Sequence, residues 1–284
     1  MLRKFAKYEA LGNDFVILDS NDFSESLVTA QNAQALCDRH RGVGADGVLW
    51  IDRLGPCDVR LIIVNADGSR PEMCGNGVRC IAAFLADDHG LRTDEPVQLR
   101  TDAGPRPVTL VRRDGESAWI SSVEMGVITV DLNALMTFTS PADTAGSAQC
   151  FFADAGNPHA VVLGAFDEHL LEQYAAQIRT LTERYPQGTN VEFVTHEADA
   201  VRVRVHERGV GWTLACGTGA CAVSAVLAAR ENSDTQVCTV RLDGGTLSVK
   251  VQKVQRLDVL QYTAVMVGSA RRVFDGLIDD RGLR

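Results

Sequence analysis

The chain carries no surplus of positive charge. Its 284 residues hold 28 Lys and Arg against 37 Asp and Glu, a formal net charge of −9. Binding nucleic acid normally requires a basic face to neutralise phosphates, so that class of partner is not expected. No apolar run approaches the ~20 residues needed to span a bilayer, and no membrane partner is expected either. The opening stretch "MLRKFAKYEALGNDF" lacks the apolar core of a secretory leader, so a cytoplasmic location is expected. There is no Cys-x-x-Cys pair, no low-complexity tract and no short solenoid repeat. The eight cysteines therefore read as free thiols rather than as a disulfide scaffold.

What is present is an ordinary globular composition, 45% hydrophobic and 23% charged, in a chain long enough for two domains. One stretch organises the rest. In "NADGSRPEMCGNGVRCIAAFL", Cys74 stands directly before Gly75-Asn76-Gly77 and an apolar run of helical character. Glycines allow close backbone approach. The first turn of a helix offers unpaired N–H groups and partial positive charge, where a carboxylate docks and a thiol is drawn towards thiolate. The device recurs in "ERGVGWTLACGTGACAVSAVL", with Cys216 before Gly217-Thr218-Gly219, and 216 − 74 = 142. Gly12-Asn13 matches Gly156-Asn157, with 157 − 13 = 144, and Asp46 matches Asn190, with 190 − 46 = 144. Three matched motifs in one order imply two related halves that bring two cysteines to one cleft.

The pattern predicts a strand, a turn and a strand over Phe5–Asp19, a helical stretch over residues 21–40 with Asn32 and Arg39 off its apolar face, and strands at 47–51 and 58–64. The Cys74 helix should end near His89-Gly90. Strands with turns at Ala103-Gly104 and Asp114-Gly115 follow. The second half opens near residues 123–126, passes a polar loop at 139–149, and repeats the strand–turn–strand at 150–164. Residues 167–183 read as a helix with Leu170, Leu171, Tyr174, Ile178 and Leu181 on one stripe. "AVRVRVHERG" alternates at period two and reads as a half-exposed strand. Strands around an Asp243-Gly244-Gly245 turn follow the Cys216 helix, and the last segment, "RRVFDGLI", is assigned back to the first half.

Two thiols facing a planar intermediate suit acid–base work at carbon, one taking a proton while the other delivers one. A free thiol has a pKa of ~8.5. A helix N-terminus worth roughly 0.3–1 kcal/mol, up to ~2, lowers it by about one unit or less. Desolvation raises it, so the two effects are expected to offset. Each motif also has a plainer reading. A lone Cys-Gly-x-Gly is a packed small residue before a helix, and the other six cysteines read as buried and inert. A zinc site from Cys74, Cys80, Cys216 and Cys221 is possible by count, but its spacings are unlike a zinc knuckle. His159 could be structural, Glu207-Arg208 a surface ion pair, and Asn13, Asn65, Asn76, Asn157 and Asn190 turn residues; together the asparagines resemble a polar pocket for an amino acid backbone. Rival functions are another two-base racemase, a thiol redox protein, and a binding protein on the same fold.

At "GNDF", "RGVGADG", "NADGSRPEMCGNGVRC", "GNPHAV", "GTNVEF", "ERGVGWTLACGTGACA" and "FDG" the chain resembles the diaminopimelate epimerase family, over nearly its whole length. The resemblance implies an α/β chain of the α+β type with two pseudo-symmetric domains. Each would be a mostly antiparallel sheet wrapped around a central helix, with the active site between them. The halves would be residues 1–120 with 264–284, and 121–263. It implies cofactor-independent interconversion of LL- and meso-diaminopimelate, no metal, and a homodimer. Cys74 and Cys216 would be the acid–bases, with Cys216 taking the proton in the LL-to-meso direction. His159 and Glu207 would tune them and hold the reacting amino group. Asn13, Asn65, Asn157, Asn190, Glu207 and Arg208 would bind substrate, and the backbone of Gly75-Asn76 and Gly217-Thr218 would hold its carboxylate. Three positions depart from the family. Gly47 stands where glutamine is frequent, Trp212 where an acidic residue is usual, and Phe274 in place of a tyrosine that aids dimerisation in some members.

Overall fold

The fold comes from a computed structural model that describes residues 1–93, 95–115, 117–139, 147–164, 167–254 and 259–283. Two compact units divide the chain, residues 1–124 with 267–284 and residues 125–266. In the first, β1 (Leu2–Ala10) and β2 (Asn13–Asp19) lead through a 3-10 turn to α1 (Ala30–Cys37). Then come β3 (Gly47–Gly55), β4 (Asp58–Asn65), α2 (Gly75–His89), β5 (Pro96–Thr101) and β6 (Gly104–Asp114). The long strand β7 (Ala118–Thr139) carries the chain into the second unit. There β8 (Ser147–Asp154), β9 (Pro158–Gly164), α3 (Leu171–Arg179), β10 (Asn190–His196), β11 (Val201–Glu207) and the short β12 (Gly211–Thr213) precede α4 (Gly217–Arg230). The series closes with β13 (Thr235–Leu242), β14 (Gly245–Val254) and β15 (Leu260–Asp279), whose last part pairs antiparallel with β1, Leu2 opposite Asp279, within the first unit.

Both units have one topology. In the first, strands neighbour in the order β15, β1, β2, β3, β4, β5, β6, β7; in the second, β7, β8, β9, β10, β11, β13, β14, β15. Most neighbours are antiparallel. The parallel pairs are β2–β3 and β4–β5 in one unit, β9–β10 and β11–β13 in the other. Parallel neighbours need a crossover, usually a helix. Here α1 and α2 supply it in the first unit, α3 and α4 in the second. The turns between β1 and β2 and between β8 and β9 each need a positive φ, 81° at Gly12 and 90° at Gly156, which glycine adopts without Cβ strain.

Each unit has an inner and an outer core. The inner core surrounds α2 or α4. Gly75 through Leu85 of α2 are buried, as are Gly217 and Gly219 through Ala229 of α4. An all-round apolar helix is stable only when enclosed, and the Ala, Gly and Cys side chains of α4 let the sheet come close. The outer cores lie under α1 (Leu36, Cys37, Val48, Trp50) and α3 (Tyr174, Ile178, Val191, Phe193). Burying a large apolar side chain contributes about 1.5–3 kcal/mol. Helix α2 stops at Gly90, left-handed at φ 68°, whose N–H returns to the Leu85 carbonyl.

Some readings of the sequence are corrected. The stretch 21–40 is not one helix: Thr29 caps a fresh start by accepting from the Asn32 N–H at 3.2 Å. Asn32 is buried rather than outward, its amide donating to the Leu27 carbonyl at 2.9 Å. The helical stretch 167–183 is a 3-10 turn, Glu168–Leu170, followed by α3. In the polar stretch 139–149, Thr139 ends β7 and Ser147–Gln149 begin β8, while residues 140–146 lie outside the described residues. The register also moves one of the matched pairs. Asn190 partners His159 as Gly47 partners Phe15, so Gly47, not Asp46, is the counterpart of Asn190. No helix among the described residues is long and apolar enough to cross a membrane.

Candidate active site

In the first unit, Cys74 is the N-cap of α2, in extended backbone conformation and partly exposed. Its Sγ lies 3.8 Å from Asn13 Oδ1, to which the thiol donates. The same oxygen accepts from Asn76 Nδ2 at 3.1 Å, and Asn13 Nδ2 donates to Asp46 Oδ2 at 2.8 Å. Asp46 also meets Arg39 at 2.9 Å. Asn76 is buried in the first helical turn, its Oδ1 accepting from Arg79 Nη2 at 2.7 Å. Arg79 also donates to the carbonyls of Gly75 and Ser269. The hydrogen bonds therefore link Cys74, Asn13, Asn76 and Asp46 into one network. Asn65 is held elsewhere, in a turn, its Nδ2 donating to Ser69 Oγ at 2.9 Å.

Arg79 is a residue that sequence reasoning missed. It is fully buried, and its only signal was a cation inside an otherwise apolar helical run. Gly47 has a steric reason: a Cβ there would sit 2.9 Å from the Val64 carbonyl oxygen and 3.3 Å from the Phe15 ring.

The second unit repeats the N-cap with different surroundings. Cys216 caps α4 and is buried, its Sγ accepting from the Gly219 N–H at 3.4 Å and lying 3.4 Å from Thr218 Oγ1. Burial pushes this thiol well above its ordinary pKa, Glu207 and Glu192 push it further, and the Thr218 and Gly219 contacts pull the other way. At Cys216 the expected offset does not hold, because desolvation wins. Desolvation therefore favours the neutral thiol at Cys216.

His159 is fully buried between two oxygens. Nδ1 lies 2.7 Å from Glu192 Oε1, and Nε2 lies 3.0 Å from Asn157 Oδ1. Glu207 accepts from Thr213 Oγ1 at 2.6 Å. Asn190 is buried, its Oδ1 accepting from the Arg208 N–H at 2.9 Å. The exposed Arg208 side chain donates to the Gln187 carbonyl at 3.3 Å. Glu192, absent from the sequence-based site, was signalled only by a carboxylate inside the apolar strand "NVEFV". Trp212 pins β12 in place: its Nε1 donates to Glu172 Oε2 at 3.0 Å, and its ring packs on His206 and Phe193. Phe274 makes an edge contact with Phe5, centroids 6.0 Å apart.

Among the described residues, no group of three or more His, Cys, Asp or Glu could hold a metal ion. Chemically, each unit offers one thiol at the N-cap of an enclosed helix, beside asparagine amides at Cys74 and beside Thr218 and the Gly219 N–H at Cys216.

A family model described as diaminopimelate epimerase matches residues 5–130 and 151–273. A diaminopimelate epimerase from Synechocystis sp. is 38% identical over 293 residues, covering 97% of this chain and 99% of the relative. One from Thermosynechococcus vestitus is 39% identical over 298 residues, covering 98% and 100%. Among solved structures, a phenazine biosynthesis protein from Bacillus anthracis superposes with a TM-score of 0.76 at 15% identity, covering 98% of this chain and 99% of that one. A hydroxyproline epimerase from Agrobacterium vitis gives 0.70 at 16%, covering 98% and 91%. The two structures share the fold, and the two sequence relatives, aligned nearly end to end, place the chain in the diaminopimelate epimerase family.

Proposed function

We propose that this protein epimerises LL-diaminopimelate to meso-diaminopimelate without a cofactor, with Cys74 and Cys216 as the two acid–bases. The observation that carries the reading is the repeated N-cap cysteine, one at the start of each unit's buried helix. The product serves lysine and peptidoglycan precursor synthesis, and the enzyme works in the cytoplasm as a homodimer.

The substrate carboxylate docks on the N–H groups of Gly75-Asn76 and Gly217-Thr218, where fixed dipoles stabilise charge developing on the adjacent carbon. In the LL-to-meso direction Cys216 removes the α-proton and Cys74 delivers one to the opposite face. The raised pKa of Cys216 supports the base role, because a thiolate that is hard to form is a strong base once formed. Glu207 lies close enough to oppose ionisation of that thiol. A substrate ammonium placed beside Glu207 would cancel this effect and favour the thiolate when substrate is bound. Asn13, Asn157 and Asn190 supply neutral hydrogen-bonding groups for an amino acid backbone, and Arg208 a cation for the distal carboxylate. Asn65, tied into its own turn, would reach substrate only from the end of β4.

The direct test is epimerisation of LL-diaminopimelate followed by chiral chromatography. Cys74→Ala and Cys216→Ala should each lose activity by ~10²–10⁴-fold or more, the usual span for removing an acid or base. Undiminished epimerisation in either variant would refute the assignment. A substrate panel with proline and hydroxyproline separates this reading from that of a related racemase.

A further inference from the structure

The second unit buries a carboxylate that its fold does not require. Glu192 and His159 are both fully buried, joined by the 2.7 Å contact between Oε1 and Nδ1. Glu192 Oε2 has no hydrogen-bond partner among the described residues. The duplication provides an internal comparison. By strand register, the places of His159 and Glu192 are taken in the first unit by Phe15 and Leu49. Both of these are buried.

The helix above confirms the correspondence. A Cβ on Gly77 of α2 would meet Leu49 Cδ2 at 3.1 Å, and a Cβ on Gly219 of α4 would meet Glu192 Oε1 at 2.6 Å. The same architecture therefore closes with an aromatic ring and a leucine under one helix, and with an imidazole and a carboxylate under the other. Burying polar and charged groups is unfavourable against a well-packed apolar pair. Packing alone does not account for Glu192.

Its placement does. Oε1 touches the His159 ring on one side and faces the Gly219 Cα on the other, and the Gly219 N–H donates to Cys216 Sγ. We propose that Glu192 is a positioning residue of the Cys216 half-site, fixing the tautomer and ring plane of His159 through Nδ1 and thereby setting what Nε2 presents to the amino acid substrate. With Nδ1 turned to Glu192, Nε2 is the ring nitrogen left to meet Asn157 Oδ1, at 3.0 Å. The titratable groups around this carboxylate are His159 from β9, Cys150 from β8, Tyr185 from the segment after α3, and Cys216 from α4, with Glu207 acting on the same thiol. The proposal rests on the two-cysteine reading.

The test is a double-mutant cycle on the full chain with LL-diaminopimelate as substrate. Glu192→Gln should lower kcat by ~10–100-fold, the range for removing a group that orients a catalytic ligand, with a much smaller change in KM. The pH profile of kcat should change, and Glu192→Asp should recover part of the loss. In a His159→Gln background, Glu192→Gln should add less than about a twofold further loss. Wild-type kcat and pH profile in Glu192→Gln, or a full-size loss in the His159→Gln background, would overturn the proposal.

Should Glu192→Gln fail to fold, the double variant His159→Phe with Glu192→Leu copies the first unit's pair. It should fold with a Tm at or above that of the wild type and lack epimerase activity; retained activity would overturn the proposal. One readout is independent of catalysis. The His159 Nδ1–H should give an exchange-protected low-field proton resonance that is lost in both Glu192→Gln and His159→Gln. Its persistence in Glu192→Gln counts against Glu192 even if Cys216→Ala has already refuted the two-cysteine reading.

Discussion

Replacing Gly219 by alanine should damage the protein far more than the matching change at Gly77. At 219 the new Cβ would stand 2.6 Å from Glu192 Oε1 and 3.2 Å from its Cδ and Cγ. Ordinary contact needs roughly 3.5 Å, so the carboxylate must shift by most of an ångström, which disturbs the contact it now makes with the His159 nitrogen at 2.7 Å. Overpacking a full core costs about 1–3 kcal/mol. Weakening a hydrogen bond to a charged group costs up to about 1.5–3 kcal/mol. Alanine's better helix propensity returns at most ~1 kcal/mol. The net expectation is a loss of roughly 2–4 kcal/mol. At Gly77 the obstacle is Leu49 Cδ2 at 3.1 Å, the end of an apolar side chain that can rotate, so the propensity gain offsets most of the strain and the loss should stay near ~1 kcal/mol or less. Urea unfolding of both variants beside the wild type measures this. A Gly219→Ala midpoint equal to or above that of Gly77→Ala would refute the account of how Glu192 is packed.

Two further outcomes concern the thiols. Glu207 adds to the upward push on Cys216, so Glu207→Gln should move the iodoacetamide alkylation profile of that cysteine to lower pH, read by mass spectrometry; an unmoved or raised profile contradicts the electrostatic picture. Burial also pushes Cys37 and Cys150 up to about 12. Folded-state values above the unfolded ~8.5 mean that this stability is intact below about pH 8.5 and is lost as pH rises towards 12, at up to ~1.4 kcal/mol per thiol per pH unit. Urea midpoints should therefore fall steadily from pH 9 to 11 in the wild type and less steeply in Cys37→Ala; parallel slopes would contradict the assignment.

The chain announced its architecture wherever the signal was local. Gly12 and Gly156 sit at positive-φ turns, Gly90 ends α2, and Cys74 and Cys216 each precede a helix that begins at the next residue. Those features depend on a few neighbouring residues, so pattern and propensity reach them. Register does not have that character. Asp46 looked like the counterpart of Asn190 because both close a Gly-rich loop, and only the pairing of β2 with β3 and of β9 with β10 moves the match to Gly47. Buried charge was equally hidden. Arg79 and Glu192 read as polar interruptions in apolar segments, and part of what makes them tolerable lies far away in sequence: the Ser269 carbonyl for the first, beside its local bonds to Asn76 and Gly75, and His159 for the second. Asn32 belongs with them, since its amide donates to the Leu27 carbonyl in the preceding turn.

The central claim is that two thiols, one from each unit, act on opposite faces of one carbon. Incubation of LL-diaminopimelate in deuterated water at low conversion tests it most directly. The account predicts that the meso product carries one solvent deuterium at the inverted α-carbon while recovered LL substrate remains unlabelled, because the proton removed by Cys216 is not the one delivered by Cys74. Early product that retains the substrate's own α-hydrogen would contradict it, since a single group would then be taking the proton and giving it back.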